Sequence, residues 1–426
     1  MLTVLESRRT GTAIAALAAL AIAVLASVDL ASATVMAEAT ALIVLVVSAP
    51  AFVVSMALPL TYAFARVGPA SVDVSVADAS LLLATIVALP FVPWNARRLQ
   101  RALLALGAYE LLLGMPVLAH PTGRALFEWG HRAVLIGGSL IVGAALVRMG
   151  SFRFGLRLFI LGSAAVSVNA IIQTLGNGFE PAYPFGMQKN SAGNILAFAV
   201  LLVVLAGFET GIRPVLLIPT RLLLIGGLLA TQSRGSMLAV IVGVALWILR
   251  GVNHRRSSTA AVLVALVALG TTVVLINDRE SQAARSDPSA AKFLPDAQRR
   301  TLNESGLNEW RAEPIAGAGL RYFYAPNRGG EPHNLLVAGL AETGIIGIAA
   351  LLVLIRGTFA ALTSLRSPIA TVARLAILVR MLTGFVDIFW VAGRMTLPWV
   401  LVGAAIAIDH SQQMEERTST RPQHAL

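Results

Sequence analysis

Cysteine is missing from all 426 residues. Its absence excludes disulfides, thiolate metal ligands and cysteine nucleophiles, and it leaves the compartment open. Charge is scarce as well: 13% of the residues are Asp, Glu, Lys or Arg, about half the share usual in a soluble domain. Lysine occurs only at 189 and 292, so the formal charge of +11 is carried by arginine. Also missing are a Gly-x-x-x-x-Gly-Lys-Ser/Thr loop, a Gly-x-Gly-x-x-Gly turn after a strand, His-Glu-x-x-His and Asp-x-Asp. Nothing therefore points to a bound nucleotide, a metal cage or another cofactor. Nor does the positive charge point to nucleic acid, because most arginines sit in short loops between apolar runs.

What is present is apolar. Hydrophobic residues make up 57% of the chain. They gather into runs of about 20 residues, each long enough to cross about 30 Å of hydrocarbon as a helix. Only helices and closed barrels satisfy their backbone there, and these runs lack the alternation of barrel strands. The sequence predicts an all-α fold, a polytopic transmembrane helical bundle of about 12–14 spans with a large extracytoplasmic loop. The expected spans are 11–29, 34–48, 50–66, 76–93, 100–119, 126–148, 153–174, 191–208, 213–231, 234–250, 258–276, 336–356, 367–389 and 394–409. The first mimics a signal peptide, but its apolar stretch is long for one and further spans follow at once. Residues 34–66 are read as two short spans split at Ser48-Ala49-Pro50, against the alternative of one kinked helix.

The arginines orient this scheme, because cytoplasmic loops carry the positive excess. With the N-terminus inside, five basic segments share the cytoplasmic side: Arg8-Arg9, Arg97 to Arg101, Arg148 to Arg157, Arg250 to Arg256, and Arg356 to Arg366. Fusing 34–66 into one span would put Arg8 and Arg9 opposite the other four. The same scheme places 175–190, the turn Thr231-Gln232-Ser233-Arg234-Gly235 and the segment 277–333 outside. The expected organisation is N-terminal transmembrane helices at 1–174 and helices with outer-face elements at 175–276. An extracytoplasmic loop follows at 277–333, then C-terminal helices at 334–409 and a polar, unstructured cytoplasmic tail at 410–426.

The outer segments hold the unusual polar residues. Arg234 breaks the positive-inside tendency. It is either an interfacial arginine whose stem lies along apolar surface or an anion ligand, since a planar guanidinium fork suits phosphate oxygens. His333 immediately precedes an apolar helix. It is either a capping or interfacial histidine, or a proton acceptor that titrates near neutral pH. Pro332 restricts the approach of the chain, Asn334 suits a helix cap, and a helix N-terminus there favours anions. Glu342-Thr343-Gly344 marks an expected break in that helix. Glu110 and Asp387 fall within apparent spans, where carboxylates either pair with a buried arginine or do chemistry.

In their order and spacing these segments resemble the bacterial O-antigen ligase and O-antigen polymerase superfamily. The stretch from Pro332-His333-Asn334 through Glu342-Thr343-Gly344 to Gly347 is similar to that family's His-Asn, Glu-x-Gly and downstream glycine pattern. Ahead of it, Trp310, Pro314, Gly317, Gly319 and Tyr322-Phe323 resemble its Trp, Pro-x-x-Gly-x-Gly and aromatic segment. Ser233-Arg234-Gly235 resembles its Ser-Arg-Gly turn, and Gly186 to Asn194 its Gly and Asn element. The likeness covers roughly 185–350. The chain departs from the pattern at Glu180-Pro181-Ala182-Tyr183-Pro184, where family members often carry an arginine; Lys189 is the candidate replacement.

The resemblance implies an inverting, metal-independent glycosyltransferase in a bacterial inner (plasma) membrane, with its site on the extracytoplasmic face. The donor would be a glycan on undecaprenyl diphosphate or a related polyprenyl carrier, and the acceptor a glycan or lipid hydroxyl. It implies that His333 and Arg234 are catalytic. Arg234, Lys189, Arg300 and Arg321 would hold the donor diphosphate, with Asn190, Asn194, Ser233, Asn334 and Glu342 in support. Ligase and polymerase are not separated by fold. The competing function is a polysaccharide or lipid-linked glycan transporter or flippase. Such proteins tend to show internal repeats and broken helices at mid-membrane; here no repeat is evident, and the polar residues crowd one face.

Overall fold

The computed structural model describes residues 38, 41–67, 74–249, 270, 296–325, 328–391 and 393–419. The expected spans at 11–29 and 258–276, the start of the 277–333 loop and the last seven residues lie outside the described residues. Among those described there are helices and no strand, apart from one isolated bridge between Arg66 and Ser75. In chain order the helices are α1 (Ala41–Ser48), α2 (Pro50–Met56), α3 (Val76–Ala88), α4 (Arg97–Ala119), α5 (Gly123–Arg148), α6 (Phe152–Gly176), α7 (Lys189–Ala206), α8 (Pro214–Thr231), α9 (Arg234–Leu249), α10 (Asp296–Ala312), α11 (Leu335–Leu362), α12 (Pro368–Gly384) and α13 (Thr396–Ser419). Helices α4, α5, α6, α8, α11 and α7 with its 3-10 extension are long and apolar enough to cross a membrane. The chain is a multi-pass helical bundle.

The split expected at Ser48-Ala49-Pro50 is a sharp bend: α1 meets the segment Pro50–Tyr62 at 107°. Pro50 has no N–H to continue the helical ladder, and its ring drives Ala49 out of helical geometry, to φ −139° and ψ 54°. The described arms are each shorter than a bilayer crossing, so the bend forms one broken span or a re-entrant loop. The expected unstructured tail needs correction. Helix α13 continues from the apolar stretch to Ser419, because Gln412 to Arg417 are good helix formers. Its Asp409 lies 3.3 Å from Arg98 and accepts from Gln413 at 2.8 Å.

Small residues set the closest helix approaches, as expected where packing and not water exclusion draws helices together. Gly143 of α5 faces the Val400 carbonyl of α13, and Gly403 of α13 faces the Leu140 carbonyl of α5. Neither position has room for a Cβ.

The glycine-rich segment after α10 docks onto a break in α11. Gly344 interrupts that helix at φ 61° and ψ −159°, a conformation open essentially to glycine alone. The freed backbone groups are taken up by the loop that follows α10. Ile345 N donates to Pro314 O at 3.0 Å and Ile346 N to Ile315 O at 3.3 Å. In return Ala318 N donates to Ala341 O at 2.8 Å and Gly319 N to Glu342 O at 3.0 Å. Gly317, at φ 68°, brings its Cα against the Thr343 N–H. The Pro-x-x-Gly-x-Gly and Glu-x-Gly patterns are thus two halves of one joint.

The bundle sorts its polar residues into two ends. At one, Arg98 reaches the Ala361 carbonyl and Ser364 as well as Asp409, and Arg157 and Arg153 meet Thr210 and Glu209. At the other, His120 meets Glu313, Arg124 bonds the Tyr324 carbonyl, and Gln232 bonds the Phe179 carbonyl. The motif segments all lie toward this second end.

Candidate active site

The described residues between α12 and α13, 385–391 and 393–395, form a seam that meets the Ser-Arg-Gly turn, the start of α11 and the start of α7. Gly235, at the start of α9, lies where a Cβ would come within 2.7 Å of Val386. Gly384 is seated against Leu335, the first residue of α11. From within the seam, buried Arg394 donates to Asp387 Oδ2 at 2.7 Å and to Ser191 Oγ on α7 at 2.5 Å. Ser233 closes the ring by donating to Asn190 Oδ1 at 3.3 Å and bonding Ser236 at 2.8 Å. Segments some 200 residues apart in the chain therefore converge on one seam.

His333 sits at the rim of this assembly, half-buried. Its orientation is fixed from behind. Asn334 caps α11 by accepting from the backbone N–H groups of Leu336 at 2.9 Å and Val337 at 3.3 Å, and Pro332 is wedged against Gly306 of α10. The Nδ1 atom of His333 is enclosed and has no hydrogen-bond partner among the described residues. Burial pushes the imidazole pKa below its usual value; Asp387 opposes this, while Arg299 and Arg394 reinforce it. Burial thus favours the neutral ring, the form that accepts a proton.

The candidate cations do not share one location. Arg234 is half-buried at the first position of α9 and Lys189 at the first position of α7, so both stand at helix N-termini. Arg300 is exposed on α10. Its neighbour Arg299 is partly covered, and it is the arginine whose charge reaches His333. Arg321 lies apart: its Nε donates to Glu128 at 2.8 Å and its guanidinium stacks 4.3 Å over Tyr324. Burial works against the charged form of Arg321, but the Glu128 carboxylate outweighs it and holds the pKa above its ordinary value. Asn194 is buried, donating to the Asn190 carbonyl at 2.9 Å, and its own Oδ1 has no partner among the described residues.

Arg321 enters a buried ion cluster that the sequence reading did not single out. Glu128, fully buried in α5, accepts from Arg132 Nε at 2.8 Å and from Arg321, and lies 3.3 Å from His131. His131 in turn meets Asp78 of α3 at 2.7 Å. Arg132 also reaches Glu342 at 3.4 Å and stacks 4.4 Å over Trp390 of the seam. The signal was available: the rule that flagged Glu110 and Asp387 as charges inside apolar runs applies equally to Glu128, His131, Arg132 and Arg380. Of the two flagged, Asp387 has its arginine in Arg394. The Glu110 carboxyl has no hydrogen-bond partner among the described residues.

No curated protein matches the chain. Residues 219–352, from within α8 through the Ser-Arg-Gly turn, His333 and the Glu342 break, match the family described as O-antigen ligase. That match supports the O-antigen ligase/polymerase superfamily for this part of the chain, and with it a membrane glycosyltransferase-like function in polysaccharide biosynthesis.

Proposed function

We propose that the protein transfers a glycan from a polyprenyl diphosphate carrier to an acceptor hydroxyl at the extracytoplasmic face of a bacterial inner membrane. One observation carries the reading: an imidazole whose Nδ1 has no partner among the described residues, on a capped helix start, stands beside a seam that also meets the Ser-Arg-Gly turn and the α7 N-terminus. In the transfer the acceptor oxygen forms a bond to the anomeric carbon as the bond from that carbon to the phosphate oxygen breaks. The acceptor proton passes to His333, and the lipid diphosphate leaves with its electron pair. Negative charge develops on that leaving oxygen. Arg234 and Lys189, each at a helix N-terminus, are suited to stabilise it, with Arg299 and Arg300 of α10 on the approach.

The face assignment rests on the segregation of the ends. The end built from Arg98, Arg153, Arg157 and their partners is basic and opposite the motif segments, as the positive-inside rule requires of a cytoplasmic side. Undecaprenyl diphosphate is the expected carrier, and a glycan or a lipid-borne core the expected acceptor. Deleting the gene decides between the two branches. Accumulated full-length lipid-linked polymer assigns a ligase, and accumulated single repeats a polymerase. Unchanged surface and lipid-linked glycans would refute the transferase reading.

A further inference from the structure

At the end of the bundle opposite the motif segments, α4 and α13 enclose a polar cleft of about 340 Å³, within the size range of small-molecule sites. Its charged walls are Arg97, Arg98 and Arg101 of α4 and Asp409 and Arg417 of α13. Four guanidinium groups thus line it against one carboxylate. That carboxylate is committed: Asp409 lies 3.3 Å from Arg98 and accepts from Gln413 at 2.8 Å. Arg98 is committed too, through Ser364 and the Ala361 carbonyl. Arg97 and Arg101 are exposed and have no ion-pair partner among the described residues. Their place on α4 adds to the imbalance. The N-cap is Ala96, which has no side-chain acceptor, and the first turn holds no acidic residue. Cations therefore stand at the positive end of the helix dipole, an arrangement that an anion relieves. The preference for arginine in cytoplasmic loops sets the sign of these residues, but it does not require two helices to gather them round a cavity. Apolar surface adjoins the cleft. The chain leading into its wall at Asn95 exposes Leu89, Phe91 and Trp94, and Gln100 of α4 donates to the Trp94 carbonyl at 2.7 Å, which keeps this strip beside the helix start. Tryptophan in such a place marks the level of lipid headgroups.

We propose that the cleft binds the phosphate group of an anionic phospholipid, with Arg97 and Arg101 donating to its oxygens at the uncapped start of α4. Guanidinium forks and helix N-termini both suit phosphate oxygens, and basic pockets between membrane helices take anionic headgroups. Arg417 closes the cleft from α13, and the acyl chains run along Leu89, Phe91 and Trp94. Free phosphate offers the same oxygens but leaves that apolar strip uncovered, which favours the lipid. The bound headgroup bridges α4 and α13 and holds the polar extension of α13 to the bundle. The inference is independent of the transferase reading, because the cleft lies at the other end of the bundle from His333.

The natural lack of cysteine permits a binding test independent of turnover. His410 lines the cleft, so the full chain carrying His410→Cys is placed in phosphatidylcholine nanodiscs with a rising share of phosphatidylglycerol. It is then labelled with a small uncharged thiol reagent. Labelling should slow as phosphatidylglycerol rises, and inorganic phosphate added to pure phosphatidylcholine discs should not slow it. Ser419→Cys, exposed at the end of α13 and outside the cleft, should label at a constant rate. Adding Arg97→Gln and Arg101→Gln to His410→Cys should raise the phosphatidylglycerol needed for half-protection about 25-fold or abolish protection, at roughly fivefold for each arginine. Arg153→Gln removes a cation at the same end outside the cleft and should leave protection unchanged. If the double variant does not insert, Arg417→Gln, beyond the apolar stretch of α13, should weaken protection about fivefold. Slowed labelling of Ser419→Cys, or a loss from Arg153→Gln equal to that from the cleft arginines, would reduce the effect to diffuse surface charge and overturn the site. Absence of protection by phosphatidylglycerol, or protection unchanged in the cleft variants, would overturn it equally. Protection by inorganic phosphate alone would overturn the lipid assignment in favour of a free anion.

Discussion

Replacing Gly344 by alanine should unlock the joint that holds the loop after α10 to α11. The backbone there, at φ 61° and ψ −159°, costs any residue with a Cβ about 1–3 kcal/mol. The new methyl would run into the Ile315 carbonyl and lie 2.8 Å from Ala316 N, both backbone atoms of the docked loop. Overpacking of this kind adds about 1–3 kcal/mol. If the loop moves away to relieve it, the Ile345–Pro314 and Ile346–Ile315 hydrogen bonds are lost, at about 1 kcal/mol each. The net expectation is roughly 2–6 kcal/mol of lost stability. Gly178→Ala is the control, since Gly178 also has positive φ (66°) but meets nothing within 4 Å. Thermal unfolding in detergent and limited proteolysis of 314–319 read the difference. Gly344→Ala should melt well below Gly178→Ala and be cut faster. Equal melting of the two would refute the joint as a determinant of the fold.

Four further outcomes follow from the same contacts. Because burial holds the His333 pKa below its usual value, transfer should stay constant as pH drops through 6.5 and decline only below the lowered pKa, as the imidazole gains its proton. His333→Gln should lose the rate together with that acid limb, and a Gln variant with unchanged rate and pH profile would make His333 a positioning group. Arg234→Lys should lower kcat by about 10²–10³, because a compact ammonium cannot make a two-pronged phosphate contact; near-normal transfer would remove Arg234 from the mechanism. Glu128→Gln leaves Arg132 and Arg321 without their buried carboxylate and should destabilise the chain by about 3–5 kcal/mol in thermal or chemical unfolding, and unaltered stability would refute the cluster as a structural element. Labelling of Ser289→Cys but not Ser411→Cys by an impermeant external reagent is expected, and the reverse pattern would invert the topology.

The apolar runs alone determine that this chain is a helical membrane bundle, because a backbone in hydrocarbon has no other partner than itself. The break at Pro50 and the Asn334 cap were equally legible, since each acts within a few residues. The motif order along 185–350 carried the resemblance, and residues 219–352 match that family. Tertiary structure decided how they meet. Nothing in the spacing of Gly317 and Gly344 discloses that one fills the gap left by the other, nor that Arg394 reaches back to Ser191 across the bundle. The two α10 arginines are neighbours in sequence, yet helical rotation turns Arg299 toward His333 and Arg300 to the outside. Arg321 reads as a loop arginine free to meet phosphate, but the fold sinks it onto Glu128. A charge in a sequence carries only its sign; its partner is chosen by which helices cross, and crossing is set by packing between residues far apart in the chain.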